Sequence, residues 1–265
     1  MTVLLEIRDV QRRFGNIDVL SDINVKVAEG EFVSIVGPSG CGKSTLMNII
    51  AGLTSPDSGH VLLADKDITG SSGYVGYMFQ KDLLIPWRTV LGNITLGPSL
   101  RGRVSKSEVL EAARMAERYG LGQFIDNYPH TLSGGMRQRV ALMRTLLLHR
   151  PVMLLDEPFG ALDAQTRVQL QEWLLAVWAD TGGTILFITH DIDEAIFVSD
   201  RVLVMSARPG TIASELQVDI KRPRAIDITT SEEFVVMKRQ AMELLYTSHG
   251  LQLPPGISPS GESAQ

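Results

Sequence analysis

Nine consecutive residues, Gly37-Pro38-Ser39-Gly40-Cys41-Gly42-Lys43-Ser44-Thr45, carry the strongest chemical signal in the chain. They match Gly-x-x-x-x-Gly-Lys-Ser and lie between an apolar run at Phe32–Val36 and a stretch, 46–52, that reads as a helix ending at a glycine. Glycines let successive backbone N–H groups converge with no Cβ in the way, and a helix start adds partial positive charge, so the loop suits phosphate. Lys43 is placed to reach the β- and γ-phosphates and the Ser44 hydroxyl to ligate Mg²⁺. The spacing predicts binding of a nucleoside triphosphate. Cys41 stands inside this loop, where an alkyl adduct is expected to block the nucleotide by bulk.

Two further sets of residues could complete a reaction. Val152-Met153-Leu154-Leu155 reads as a strand buried on both faces, and it ends in Asp156 and Glu157. Ligands in parallel sheets sit at the carboxyl ends of strands, so Asp156 is expected to hold Mg²⁺ and Glu157 to polarise a water for attack on the γ-phosphate. A second buried strand, Thr184-Ile185-Leu186-Phe187-Ile188-Thr189, delivers His190 at its end, a candidate γ-phosphate sensor. Leu132-Ser133-Gly134-Gly135-Met136 opens a helix over about 137–149, with Ser133 as N-cap and free N–H groups at the glycines, a second place fit for an anion.

The elements that must position these groups alternate between strand and helix. Short strands are read at 4–10, 23–27 and Phe32–Val36, and another at 60–63 with a partner near 75–79. Helical periodicity runs over 105–121, with Val109, Ala112, Ala113, Ala116 and Tyr119 on one face behind a Ser105–Glu108 capping box, and again over 231–246. Residues 191–199 read as a helix and Arg201–Met205 as a strand. Phe14 could be a packing residue or a platform for a nucleotide base. The apolar, proline-bearing segment Leu83-Leu84-Ile85-Pro86-Trp87 could be core under a lid or a docking surface. The last stretch, 254–265, is rich in Pro, Gly and Ser and is expected to be disordered.

Composition excludes several classes. With 265 residues, 44% hydrophobic and 21% charged, the chain is long enough for one sizeable α/β core. A net charge of −5 gives no support to nucleic-acid binding, and one cysteine leaves no internal disulfide and no Cys-rich zinc site. The N-terminus lacks a signal-peptide pattern and no apolar run approaches a membrane span, so any membrane link is expected through a partner.

Taken in order, these motifs resemble the ATP-binding cassette ATPases over about residues 4–220. The phosphate loop, Gln80, Leu132-Ser133-Gly134-Gly135, Asp156-Glu157, Gly160-Ala161-Leu162-Asp163 and His190 stand in family order. The resemblance implies a phosphate-loop, RecA-like α/β core over 1–220. It also implies an antiparallel β subdomain and an α-helical subdomain inserted at about 81–150, with 221–265 left as a C-terminal helix and tail. It implies Phe14 stacking on adenine, and Gln80 contacting Mg²⁺ and the attacking water. Ser133, Gly134 and Gly135 would bind the ATP of an opposing subunit, and Asp163 would link the two sites of a head-to-tail homodimer.

A finer resemblance is to importer ATPases for nitrate, sulfonate and taurine, carried by residues 80–90, 158–167 and 205–210. It implies two membrane permease subunits docking near Leu83 and Trp87, a separate solute-binding protein, and a place on the cytoplasmic face of the membrane. An exporter ATPase or a soluble, non-transport cassette is the alternative. Met136 stands where glutamine is commonest in the signature, and Met143 and Thr145 flank Arg144 where small residues are usual. No functional reason for the latter pair is legible.

Overall fold

The structure, a computed structural model, describes residues 2–160 and 162–248. It opens with a long hairpin, β1 (Val3–Phe14) and β2 (Ile17–Ala28), turning at Gly15 with φ +58°. Both strands outrun the expected 4–10 and 23–27. The charged segment Gln11-Arg12-Arg13 lies beyond the expected strand. Yet it stays paired through register shifts and through ion pairs of Arg12 with Asp57 (2.8 Å) and Arg13 with Asp18 (2.8 Å).

The chain continues through β3 (Phe32–Val36), α1 (Lys43–Ile50), β4 (Ser58–Leu63), β5 (Lys66–Asp67) and β6 (Gly76–Met78). Four helices then follow without a strand: α2 (Val90–Ile94), α3 (Leu96–Leu100), α4 (Lys106–Arg118) and α5 (Gly134–Leu146). The last third comprises β7 (Val152–Asp156), α6 (Ala164–Thr181), β8 (Thr184–Ile188), α7 (Ile192–Val198), β9 (Arg201–Met205), β10 (Ile212–Gln217) and α8 (Glu232–Ser248).

Two sheets result. One is antiparallel, ordered β2-β1-β4-β5; the other runs β10-β9-β3-β8-β7-β6, parallel except for the edge pair β9–β10. The expected pairing of 60–63 with 75–79 does not occur: β4 pairs with β1 and β5, while β6 joins the other sheet beside β7. Strands β3, β7 and β8 are buried at every position, as their unbroken apolar runs require. One apolar core fills the space between the sheets around α1, and a second lies under the helices on the opposite face. Among the described residues no helix is long and apolar enough to cross a membrane.

Helix α4 carries the expected capping box, Ser105 and Glu108 each bonding the other's backbone N–H. Its buried face is Ala112 and Ala116; Val109, expected on that face, is exposed. Helix α6 was not legible in the sequence, and neither were α2, α3 and β10. Beside the stripe of Leu170, Trp173, Leu174 and Trp178, apolar residues also fall on the opposite side of α6 (Val168 and buried Leu175), and the helix packs against both α5 and α7, so no single stripe marks it. The tail at 254–265 lies outside the described residues.

Candidate active site

The sheet order brings three loops to one edge. Strands β3, β8 and β7 are neighbours, and their carboxyl ends lead into the phosphate loop, His190 and Asp156-Glu157 respectively. Helix α1 begins at Lys43, three residues before the apolar stretch that marks it in the sequence, with Gly42 at its N-cap at φ +111°. Glycine is required there twice over: the conformation is left-handed, and a Cβ would come within 2.6 Å of Leu20 Cδ2. Lys43 is buried, and its ammonium donates to the carbonyls of Gly37 (2.8 Å) and Pro38 (3.0 Å), so the loop closes over it.

A cavity of about 480 Å³ opens at this edge. Its walls are Ser39, Gly40, Gly42, Lys43, Ser44 and Thr45 of the phosphate loop, Gln80, Asp156, Glu157, the hairpin residues Phe14, Ile17 and Val19, and Arg208. Phe14 is 47% exposed and belongs to neither core; the Arg12 guanidinium lies 4.5 Å from its ring centroid. Gly37, Pro38 and Cys41 form the back of the loop and do not line the cavity. Cys41 is 1% exposed, its sulfur turned towards the Gly37 and Met205 side. The adduct expected to block the nucleotide would have to form on a thiol buried behind the loop and not on the cavity wall.

Three of the expected catalytic groups meet. Gln80 Nε2 donates to Glu157 Oε2 (3.0 Å), and His190 Nδ1 stands 3.4 Å from the same oxygen. Glu157 takes a left-handed backbone, φ +45°, uncommon for a residue with a Cβ, while its N–H donates to the Ile188 carbonyl (2.9 Å). A carboxylate held by an amide and an imidazole at a cavity wall is well placed to accept a proton from water. Asp156 is 6% exposed; burial pushes its carboxyl up, opposed by hydrogen bonds from Ser44 and from Tyr77 (Oη to Oδ2, 3.4 Å) and by the Lys43 charge. Burial first, then the Asp156 charge, also pushes the Tyr77 hydroxyl up. Tyr77 is a neighbour that sequence reading missed, hidden inside an ordinary strand. Among the described residues no cluster of three His, Cys, Asp or Glu side chains could by itself hold a metal. Ser44, Gln80 and Asp156, the groups expected to hold Mg²⁺, all line the cavity.

The remaining predicted residues lie outside the cavity. Ser133 caps α5, its Oγ accepting from the Met136 N–H (3.3 Å), and α5 starts at Gly134 rather than near 137. Asp163 caps α6, accepting from the Thr166 N–H (3.0 Å), a bond that holds its carboxyl below the usual range. The two helix starts are packed together: a Cβ on Gly135 would come within 2.6 Å of Thr166 Cγ2. Ser133, Gly134 and Asp163 therefore lie together on a second surface of the same chain, with Gly135 buried beneath it against Thr166.

The loop that follows Gln80 is held at both ends. Arg137 Nε bonds Asp82 Oδ2 (3.0 Å), and Arg144 donates to the Asp82 and Leu83 carbonyls (2.6 and 2.8 Å). Buried Asn93 accepts from the Ile85 N–H (2.7 Å) and donates to the carbonyls of Ile85, Arg88 and Thr89 (3.1, 3.0 and 3.0 Å). Sequence reading missed Asn93, because a lone Asn between apolar residues carries no motif. The segment is divided: Leu84 is core, whereas Leu83 and Trp87 are 51% and 76% exposed. Met143 and Thr145, beside Arg144, are buried packing residues; Thr145 bonds the Ala141 carbonyl within α5 and lies against Gly76.

Comparison with known proteins agrees with this geometry. The family model described as ABC transporter matches residues 20–160. An uncharacterised ABC transporter ATP-binding protein of Methanocaldococcus jannaschii is 46% identical over 250 residues, covering 92% of each chain. The aliphatic sulfonates import ATP-binding protein SsuB of Bacillus cereus is 43% identical, covering 92% of this chain and 95% of its own. Among solved structures, the dimeric post-hydrolysis state of the ATP-binding cassette MJ0796 with ADP and Pi superposes with a TM-score of 0.68 at 32% identity, covering 82% of this chain and all of that one. CbiO1 of Clostridium perfringens, part of the transporter complex cbiONQ, gives 0.75 at 25% identity, covering 91% and 96%. Fold, phosphate loop and relatives converge: the chain belongs to the ABC transporter family, as its ATP-binding, ATP-hydrolysing subunit.

Proposed function

We propose that the chain powers a membrane importer of a small anionic solute of the sulfonate, taurine or nitrate kind. ATP binds with its base on Phe14 and its phosphates on residues 37–45. When bound, Mg²⁺ supplies charge neutralisation across the β- and γ-phosphates. Lys43 draws the γ-phosphate in, Gln80 orients the attacking water, and Glu157 Oε2 takes its proton. His190 holds Glu157 in place and contacts the γ-phosphate. Ser133, Gly134 and Gly135 complete the site of a second cassette, head to tail, with Asp163 at the seam.

The helices between β6 and β7 form the subdomain that presents the signature, and the core, the antiparallel sheet and this subdomain make up residues 1–220. The pair of cassettes sits on the cytoplasmic face of the membrane beneath two permease subunits. What carries the coupling is one loop: Gln80, in the cavity wall, is followed by seven residues that end at the exposed Trp87. A permease segment pressed on Leu83 and Trp87 would move Gln80 relative to Glu157. The relatives named as sulfonate importers support the direction and the solute class. The test is ATP hydrolysis by the chain with its co-purified membrane proteins, across a panel of small anions presented with their binding protein. Stimulation by one anion supports import; activity with no membrane partner and no solute response overturns it.

A further inference from the structure

The turn between β9 and β10 is built as a closed unit. Ser206 N–H donates to the Thr211 carbonyl and Thr211 N–H to Ser206 Oγ (3.0 Å each), while the Ser206 hydroxyl reaches the Ala207 and Pro209 carbonyls (3.1 Å each). Gly210 stitches this turn to β2. Its N–H donates to the Val19 carbonyl (2.9 Å), and its carbonyl accepts from the Ser21 N–H (3.0 Å). A Cβ on Gly210 would run into the Cys41 carbonyl oxygen. The turn is thus wedged between the hairpin that carries Val19 and the back of the phosphate loop.

Arg208 stands at its tip. Nη2 and Nε both donate to the Gly40 carbonyl, at 2.8 and 3.2 Å, and the side chain lines the nucleotide cavity. Arg12, Arg201 and Arg222 each have a carboxylate partner, but among the described residues Arg208 has none. A guanidinium offers five N–H donors in a rigid fork and does not lose its charge. The donors not spent on Gly40 are uncommitted, and the charge is unneutralised on the wall of a site for a polyanion. Lys43 is the other cation of that wall.

We infer that Arg208 is a nucleotide-binding residue, a second cation that acts on the phosphate chain from outside the phosphate loop, anchored by Gly40. The inference rests on the nucleotide reading of the cavity. Arg208 is remote in role from proton transfer, which falls to Glu157, so its loss weakens binding and leaves turnover at saturation alone.

The test compares the full-length chain with Arg208→Ala, Arg208→Lys and, as control, Lys43→Ala, in ATP hydrolysis and in binding of a fluorescent ATP analogue. Arg208→Ala is expected to raise KM and Kd about tenfold with kcat within about twofold. Arg208→Lys recovers most of the loss, inorganic tripolyphosphate loses inhibitory strength by the same factor, and the gap narrows in high salt. A mere loss of loop support would instead lower kcat or Tm at unchanged KM. That result, or unchanged constants throughout, overturns the inference. If Lys43→Ala binds as well as the parent, the cavity is not the nucleotide site and the inference falls with that reading.

Discussion

Gln80 and Glu157 are 77 positions apart in the chain, yet Nε2 of one bonds Oε2 of the other at 3.0 Å. The contact crosses from the end of β6 to the end of β7, two strands in direct register. The bond ties the first residue of the segment that ends at Trp87 to the carboxylate proposed to take the proton from water.

Asp156 offers a test through pH. Its folded-state pKa lies above the ordinary carboxylate value because burial disfavours the charged form. The unfolded chain then ionises first, so the site costs stability as pH rises through the ordinary value to the raised one, and the full cost remains above both. Asp156→Asn is expected to raise Tm at pH 7 by about 2–4 °C, to show no gain at pH 3, and to lose ATP turnover. Differential scanning calorimetry at the two pH values checks it; a lower Tm at pH 7 would contradict the burial argument.

Trp87 is 76% exposed and makes no side-chain hydrogen bond among the described residues, so Trp87→Ala should leave Tm within about 2 °C and intrinsic hydrolysis within about twofold of the parent. Binding to the membrane subunits should fall about tenfold or more, as for an aromatic anchor at an interface centre. Co-purification of the two variants measures this, and equal recovery removes the docking role.

Asn93→Ala tests what holds that loop. One buried amide serves one N–H and three carbonyls; the Ile85 and Thr89 carbonyls keep backbone donors without it, but the Ile85 N–H and the Arg88 carbonyl lose the partner they have among the described residues. Stability should drop by about 2–4 kcal/mol in chemical denaturation. A loss below about 0.5 kcal/mol would mean that the loop is held by Arg137 and Arg144 alone.

Cys41 should resist iodoacetamide in the native chain and react fully in denaturant, because the residue is only 1% exposed behind the phosphate loop. Mass spectrometry after labelling reads the outcome. Rapid labelling under native conditions would show that the loop opens far more readily than its packing against Leu20 and Met205 allows.

What the sequence disclosed was governed by how local each signal is. The phosphate loop, the acids after β7 and the histidine after β8 are short motifs whose place at strand ends follows from unbroken apolar runs, and they converge as those runs imply. Pairing partners were less legible: β4 and β6 look like a local pair, but they serve different sheets, and only the completed fold separates them. Helix α6 was hidden because burial on several sides erases periodicity. Asn93, Tyr77 and Arg208 were hidden because single polar residues gain meaning only from neighbours 8, 79 and 168 positions away. The signature at Ser133–Gly135 was plain in sequence, yet it lies outside the cavity of its own chain, the placement that the proposed second cassette would account for.

That last placement makes one measurement decisive. Glu157→Gln, loaded with ATP and examined by native mass spectrometry, is predicted to be a dimer holding two ATP, with hydrolysis reduced by about 100-fold or more. A monomer with one ATP that still turns over would contradict both the role of Glu157 and the pairing of each phosphate loop with a partner's signature.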